Sequence, residues 1–294
     1  LELGQSMARL GVRVTFFNPY DELGIFTDPA LIEKSHEVFE SALDIHLGVQ
    51  GVETSVVDGG VEIAWSDRDG VSHDARFETV LAAAGRRPNL ERLDLEKTGI
   101  ELGPHGVPDF EAYTMQCGNS PIFIAGDASG HRPLLHEASE EGRIAGANAA
   151  RFPDVETSLR KVPLAVAFSQ PQMATVGRTF AELDMDETCV GEGSYDNQGR
   201  ARVMGLNSGL VRVYGERQTC RLVGAEMFGP RVEHTSHLLA WAIQRGATVP
   251  ELLRMPFYHP VFEEGIRTAL RSLARELRVH GHCAPEDRGD SAGM

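Results

Sequence analysis

Apolar residues recur at i, i+4 and i+7 from the start of the chain: Leu3, Met7 and Leu10 share one helical face. Gly11 is a natural C-cap for that helix. The pattern then turns β-rich in Val12-Arg13-Val14-Thr15-Phe16-Phe17, which predicts a strand. Helix, glycine and strand in that order are the second half of a βαβ unit. Asp28-Pro29 predicts an N-cap followed by proline at N1, with Leu31, Ile32, Val38, Phe39 and Leu43 as the apolar face of the next helix. From Val49 to Phe77, short alternating runs are broken by Asp58-Gly59-Gly60 and Asp67-Arg68-Asp69-Gly70, the pattern of a β-meander. Thr79 to Ala84 reads as a buried strand ending in a turn at Gly85.

A second unit follows. Ile122 to Ala125 predicts an apolar strand running into Gly126-Asp127, and open α/β sheets place ligands at the carboxyl ends of strands. A helix from Leu134 to Ala150 carries Gly142 and Gly146, whose cost in helix propensity is offset only if something packs closely there. One strand and one helix bury no core, so this segment must complete a sheet supplied from elsewhere. Arg151 to Lys161 reads as a linker. Beyond it, strand-like runs (Ala165–Phe168, Met173–Val176, Leu210–Val213, Leu222–Met227) are joined with helical ones (Val232–Gln244, Glu264–Leu277). This predicts an α+β domain on an antiparallel sheet. From His280 the periodicity is lost, which predicts a disordered tail over 280–294. His280-x-His282-Cys283 has no fourth ligand in register and reads as chance.

Composition narrows the classes. A length of 294 residues suggests about two domains. The net charge of −15 is spread along the chain and argues against nucleic acid, whose binding needs Lys and Arg on phosphates. No apolar run approaches the ~20 residues that span a bilayer, so no membrane segment is expected. Cys117, Cys189, Cys220 and Cys283 are too far apart for a C-x-x-C or zinc spacing, and four idle thiols in a cytoplasmic protein is the expectation. The chain opens without methionine and without an N-cap, which reads as a truncated start.

The chemistry-bearing stretch is Phe257-Tyr258-His259-Pro260-Val261-Phe262-Glu263-Glu264. Proline pushes the residue before it away from the helical region, so His259 stands on an extended turn while Glu264 enters the first turn of a helix. A carboxylate on one imidazole nitrogen raises the basicity of the other. Taken alone, the same residues also read as an ordinary helix start, with Glu263 and Glu264 at the positive end of the dipole.

Four separated signatures together resemble the flavin-dependent pyridine nucleotide–disulfide oxidoreductases of class I, most of all their dihydrolipoamide dehydrogenase branch. They are Leu1-Glu2-Leu3-Gly4, Ala84-Gly85-Arg86-Arg87-Pro88-Asn89, Ile122 to Asp127, and His259-Pro260 with Glu264. The resemblance covers Leu1 to Val279. It implies a partial α/β Rossmann-like nucleotide-binding domain and a C-terminal α+β dimerisation domain with an antiparallel sheet. The implied boundaries are 1–110 for the NAD(P) domain without its first strand and glycine loop, 111–155 for the end of the FAD domain, and 160–279 for the dimerisation domain. The glycine loops and the redox pair C-x-x-x-x-C would lie upstream of Leu1, so the chain as given is expected to be inactive alone.

The family roles carry over by position. His259 resembles the acid/base that reaches the partner subunit's disulfide, and Glu264 its orienting carboxylate. Gly126 and Asp127 resemble the FAD ribityl contact, and Leu135 with His136 the stretch beside the flavin. Glu2 resembles the glutamate near the nicotinamide, while Asn18, Val49, Ala83, Ala84, Gly85 and Arg86 match positions lining NAD(P). Arg86 and Arg87 read equally as a solvated loop, and His136 as a helix-surface histidine. Asn18 stands where NAD users carry an acid on the ribose hydroxyls; an amide lacks the charge that repels a 2′-phosphate. NAD is the expected nucleotide, with NADP open and Asp21 or Glu22 as substitutes for the missing acid. The implied partners are a second copy of the chain and a small dithiol/disulfide or lipoyl domain. Alternatives are a glutathione-like or mercuric reductase of the same family, or a non-catalytic dimerisation or nucleotide-binding module.

Overall fold

The computed structural model describes residues 1–279; the expected tail and the His280-x-His282-Cys283 spacing lie outside the described residues. Residues 1–80 join the described residues from Val162 onward in one unit, and residues 81–161 form another.

In the first unit, helix α1 (Glu2–Arg9) leads to β1 (Thr15–Asn18), helix α2 (Pro29–Glu40) and β2 (Asp44–Leu47). β1 and β2 pair in parallel, with Asn18 opposite Leu47, as a βαβ crossover requires. Asp28 caps α2 as expected, its Oδ1 accepting from the Ala30 amide at 3.0 Å. The meander is also present: β3 (Gln50–Val57), β4 (Gly60–Ser66) and β5 (Ser72–Phe77) form an antiparallel sheet in sequence order. Val49, Ile63, Trp65 and Phe17 make its core.

The expected antiparallel sheet has five strands in the order β6-β7-β10-β9-β8. These are β6 (Leu164–Ala167), β7 (Gln172–Gly177), β8 (Thr188–Ser194), β9 (Leu210–Glu216) and β10 (Leu222–Gly229). Helices α4 (Gly199–Met204), α5 (Val232–Gln244), α6 (Val249–Leu253) and α7 (Glu264–Val279) complete this part. Side chains alternate across a strand. Ala174 and Met227 therefore join the core with α5 and α7, while Met173 and Phe228 meet Leu31 and Phe39 of α2. The sheet is covered on both faces, which is why β10 is buried almost throughout.

The sequence did not predict β8, because two of its seven residues are glycines. They have a packing reason. A Cβ on Gly191 would stand 2.4 Å from the Ala269 carbonyl, and one on Gly193 2.6 Å from the Gly265 carbonyl. Both let α7 lie directly on β8, which fixes the helix start that carries Glu264.

Other expectations fail. Leu3, Met7 and Leu10 are exposed; α1 docks instead through buried Gln5, whose side chain bonds the Gln170 backbone at 2.8 and 2.7 Å. The run from Thr79 to Ala84 is not a strand: it pairs with no strand among the described residues, and a strand needs ladder partners for its amides.

In the second unit, Ile122 to Ala125 makes, among the described residues, only the single bridge Gln116–Phe123 before a 3-10 turn over Gly126–Ser129. Helix α3 (Leu135–Arg151) follows. Residues 152–161 are irregular yet tied down, not a free linker. Asn148 bonds the Glu156 amide and carbonyl, and Arg160 reaches Glu137 at 2.6 Å and Glu141 at 3.1 Å. Cys117 and Cys189 are free and buried, whereas Cys220 is disulfide-bonded rather than an idle thiol.

Candidate active site

The histidine–carboxylate pair forms. His259 Nδ1 lies 2.9 and 3.1 Å from the two oxygens of Glu264. Glu264 also accepts from the Val261 amide at 3.2 Å, so one carboxylate closes the turn and holds the ring. The His259-Pro260 peptide is cis. Gln198, the N-cap of α4, donates to the Val261 carbonyl at 2.6 Å while accepting from the Ala201 amide at 2.7 Å. Arg267 lies over the Phe257 ring at 5.7 Å. With Nδ1 engaged by the carboxylate, the free nitrogen is Nε2. The His259 side chain is 77% exposed, so that nitrogen is open to an incoming group. Such a pair can move a proton to or from a substrate presented from outside.

The FAD residues of the sequence reading lie in the second unit. Gly126 donates its amide to Glu141 Oε2 at 2.8 Å, and Glu141 Oε1 is held by Arg160 at 3.1 Å. Glu141 is fully buried. This link holds the Gly126-Asp127 backbone from behind; the sequence signal for it was only a glutamate within a small-residue helix. Gly126 adopts φ +68°, and a Cβ there would come within 3.1 Å of Ala138. Asp127 is exposed and pairs with Arg86 at 3.0 Å. Leu135 and His136 open α3, both exposed, and no side chain caps that helix. Ala83, Ala84 and Gly85 are exposed in the same unit.

Glu2, Asn18 and Val49 lie in the first unit. Val49 is buried and its amide donates to the Asn18 carbonyl at 3.1 Å, so these two meet at the end of β1. Glu2 accepts from the Phe168 amide at 2.5 Å. Asn18 turns inward on its own loop: its amide donates to the Glu22 carbonyl at 2.8 Å, and Tyr20 N donates to Asn18 Oδ1 at 3.4 Å. Among the described residues, no group of three or more His, Cys, Asp or Glu is arranged to hold a metal ion.

The first unit thus holds a parallel βαβ segment, an antiparallel sheet covered on both faces and an open His–Glu pair at a helix start. Comparison with known proteins gives the family. Residues 1–142 match the pyridine nucleotide-disulphide oxidoreductase family, and residues 163–270 match that family's dimerisation domain. The chain belongs to the pyridine nucleotide-disulphide oxidoreductases. It is 30% identical over 276 residues to a dihydrolipoyl dehydrogenase of Haloferax volcanii, covering 92% of this chain and 57% of that protein. It is 29% identical to a mercuric reductase of Acidithiobacillus ferrooxidans, covering 97% of this chain and 51% of that one. The crystal structure of LpdA from Mycobacterium tuberculosis shares the fold with a TM-score of 0.77 at 24% identity, covering 92% of this chain and 58% of that one. The chain thus spans little more than half the length of these relatives.

Proposed function

We propose that this chain is part of a homodimeric, cytoplasmic, flavin-dependent oxidoreductase that moves electrons between a dithiol/disulfide and NAD(P). Dihydrolipoamide is the substrate best matched to it: dihydrolipoamide + NAD(P)⁺ → lipoamide + NAD(P)H + H⁺. The observation that carries the reading is the His259–Glu264 pair, open at Nε2. A thiol has a pKa near ~8.5 and reacts as thiolate, so oxidising a dithiol requires a base placed to take its proton. His259 fills that role, and Glu264 balances the imidazolium that results. Reduction of a metal ion does not call for such a base, which favours the dithiol reading over the mercuric one.

The residues present suit the cofactor's recognition. Asp127 offers an exposed carboxylate for ribityl hydroxyls, and α3 begins with amides that no side chain caps, which suits an electron-rich acceptor. The bound flavin supplies the two-electron relay between thiols and nicotinamide. Gly126, Glu141 and Arg160 keep Asp127 in place, and Asn18 with Val49 shapes the dinucleotide edge. Cys117 and Cys189 are poorly suited to be the redox pair, because burial raises both thiols and so suppresses thiolate.

His259→Gln in the flavin-loaded enzyme tests this. Dithiol oxidation is expected to slow by about 10²–10⁴-fold with flavin content unchanged. Equal rates in variant and parent would remove His259 from the mechanism.

A further inference from the structure

At the carboxyl end of β1, where a dinucleotide's adenosine ribose is selected in α/β sheets, the residue in place is not a free acid. Asn18 has spent its amide on its own loop. Of the two acids that follow, Glu22 accepts from the Asn18 amide through its backbone carbonyl, and Asp21 is committed elsewhere: Asp21 Oδ1 pairs with Arg68 Nη2 at 2.9 Å. Arg68 comes from the β4–β5 turn, far along the chain from β1. Both side chains are more than half exposed, so the pair faces solvent and any ligand. The pair sits against Gly48, the residue after β2, whose amide donates to the Tyr20 carbonyl at 3.1 Å. A Cβ on Gly48 would stand 2.7 Å from Asp21 Oδ1 and 3.4 Å from Arg68 Nε, so a side chain there would push the pair aside.

The turn presenting Arg68 is built to hold it out. Asp67 Oδ1 accepts from the amides of Asp69 and Val71, at 3.0 and 2.9 Å, and its Oδ2 meets His73 Nε2 at 2.7 Å. The His73 bond, with the Val71 amide, lowers the Asp67 pKa. Asp67 is therefore committed to its own turn and does not neutralise its neighbour. A guanidinium has five donors, and the Asp21 contact engages one of its nitrogens.

We propose that Arg68 is the residue that selects the nucleotide, receiving the 2′-phosphate of an NADP-type dinucleotide, and that Asp21 is its partner when that phosphate is absent. This rests on the reading of β1–β2 as a dinucleotide edge. Asn18 adds no repulsion, and the Arg68–Asp21 pair is neutral, so a dianionic phosphate meets the guanidinium charge as it displaces Asp21. The site then favours the phosphorylated nucleotide, with the unphosphorylated one bound through its remaining contacts.

Calorimetric titration with 2′,5′-ADP and with 5′-AMP separates the two, since the probes differ only in the 2′-phosphate. The parent is expected to bind 2′,5′-ADP more tightly. Arg68→Ala should weaken 2′,5′-ADP by about tenfold or more, the scale of one charge-assisted contact, and leave 5′-AMP within about twofold. Asp21→Asn should tighten 2′,5′-ADP. Arg68 is an exposed turn residue, and an unchanged melting temperature in the variant confirms that the fold is intact. If both probes bind the parent but Arg68→Ala weakens them equally or not at all, the selector role is overturned while the dinucleotide reading stands. If neither probe binds the parent, both fall.

Discussion

Glu226 lies in the middle of β10 with no exposed surface, and it accepts four hydrogen bonds. Oε1 takes the Thr27 hydroxyl at 2.6 Å and the Phe180 amide at 2.8 Å; Oε2 takes the amides of Thr27 at 2.9 Å and Asp28 at 3.1 Å. Thr27 and Asp28 begin α2, so this one carboxylate ties the nucleotide-side helix to the antiparallel sheet. Asp28 returns the link, accepting from Arg212 at 2.9 Å and from the Tyr214 hydroxyl at 3.0 Å. Burial, and then the charges of Glu226 and Asp28, push the Tyr214 pKa up, so the hydroxyl stays a donor. Glu226→Gln replaces one acceptor oxygen by an NH₂ group. The cheaper amide orientation keeps an oxygen on Thr27 N and Asp28 N and turns the NH₂ toward the Thr27 hydroxyl, which can rotate to accept. That leaves the Phe180 amide without a partner, at about 1–3 kcal/mol, and removes charge assistance from the two retained bonds, at about 0.5–1 kcal/mol each. The expected loss is about 2–5 kcal/mol, read as a lower urea midpoint by circular dichroism and a melting temperature lower by about 4–20 °C. Glu53→Gln, on the exposed face of β3, is the control and should stay within about 0.5 kcal/mol of the parent. A Glu226→Gln protein within about 1 kcal/mol of the parent would refute the claim that this carboxylate fastens α2.

Two further outcomes are expected. The Glu251 pKa is lowered by the Thr248 amide and then the Thr248 hydroxyl, so the unfolded chain binds that proton first as pH falls. Its contribution to stability is complete above the ordinary value of 4.5 and is lost as pH drops through the lowered folded value; Glu251→Gln should remove this step from an acid-unfolding series, and an unchanged step would exclude Glu251 as its source. Sedimentation of the purified chain at micromolar concentration should give a dimer formed through residues after about Val162, and a monomer would count against that assignment.

Local signals in the chain were enough for much of the architecture. Asp28-Pro29 announces α2 because a cap and a fixed φ act within one turn, and the broken alternation between Val49 and Phe77 encodes a meander whose neighbours are adjacent in sequence. His259 and Glu264 were legible as a pair for the same reason, being five residues apart around a proline. The polar residue inside the apolar run of β10 was a visible signal for Glu226, although not for its partners. What failed were apolar runs read without their partners: Thr79 to Ala84 and Ile122 to Ala125 have strand composition, yet strand formation depends on hydrogen bonds from a neighbouring strand.

The sequence by itself determined the elements whose signals are local, such as α2 and the meander, and the chemistry of the His259 turn. Only the tertiary structure decided that Glu141 and Arg160 stand behind Gly126, that Glu226 holds Thr27 and Asp28, and that Arg68 meets Asp21. Those contacts join residues separated by anything from 15 positions, as in Gly126 and Glu141, to 199, as in Thr27 and Glu226. No local preference encodes such a meeting; it arises when packing brings distant segments within reach, and for buried Glu141 and Glu226 leaving the charge unpaired would cost more than the fold can spare.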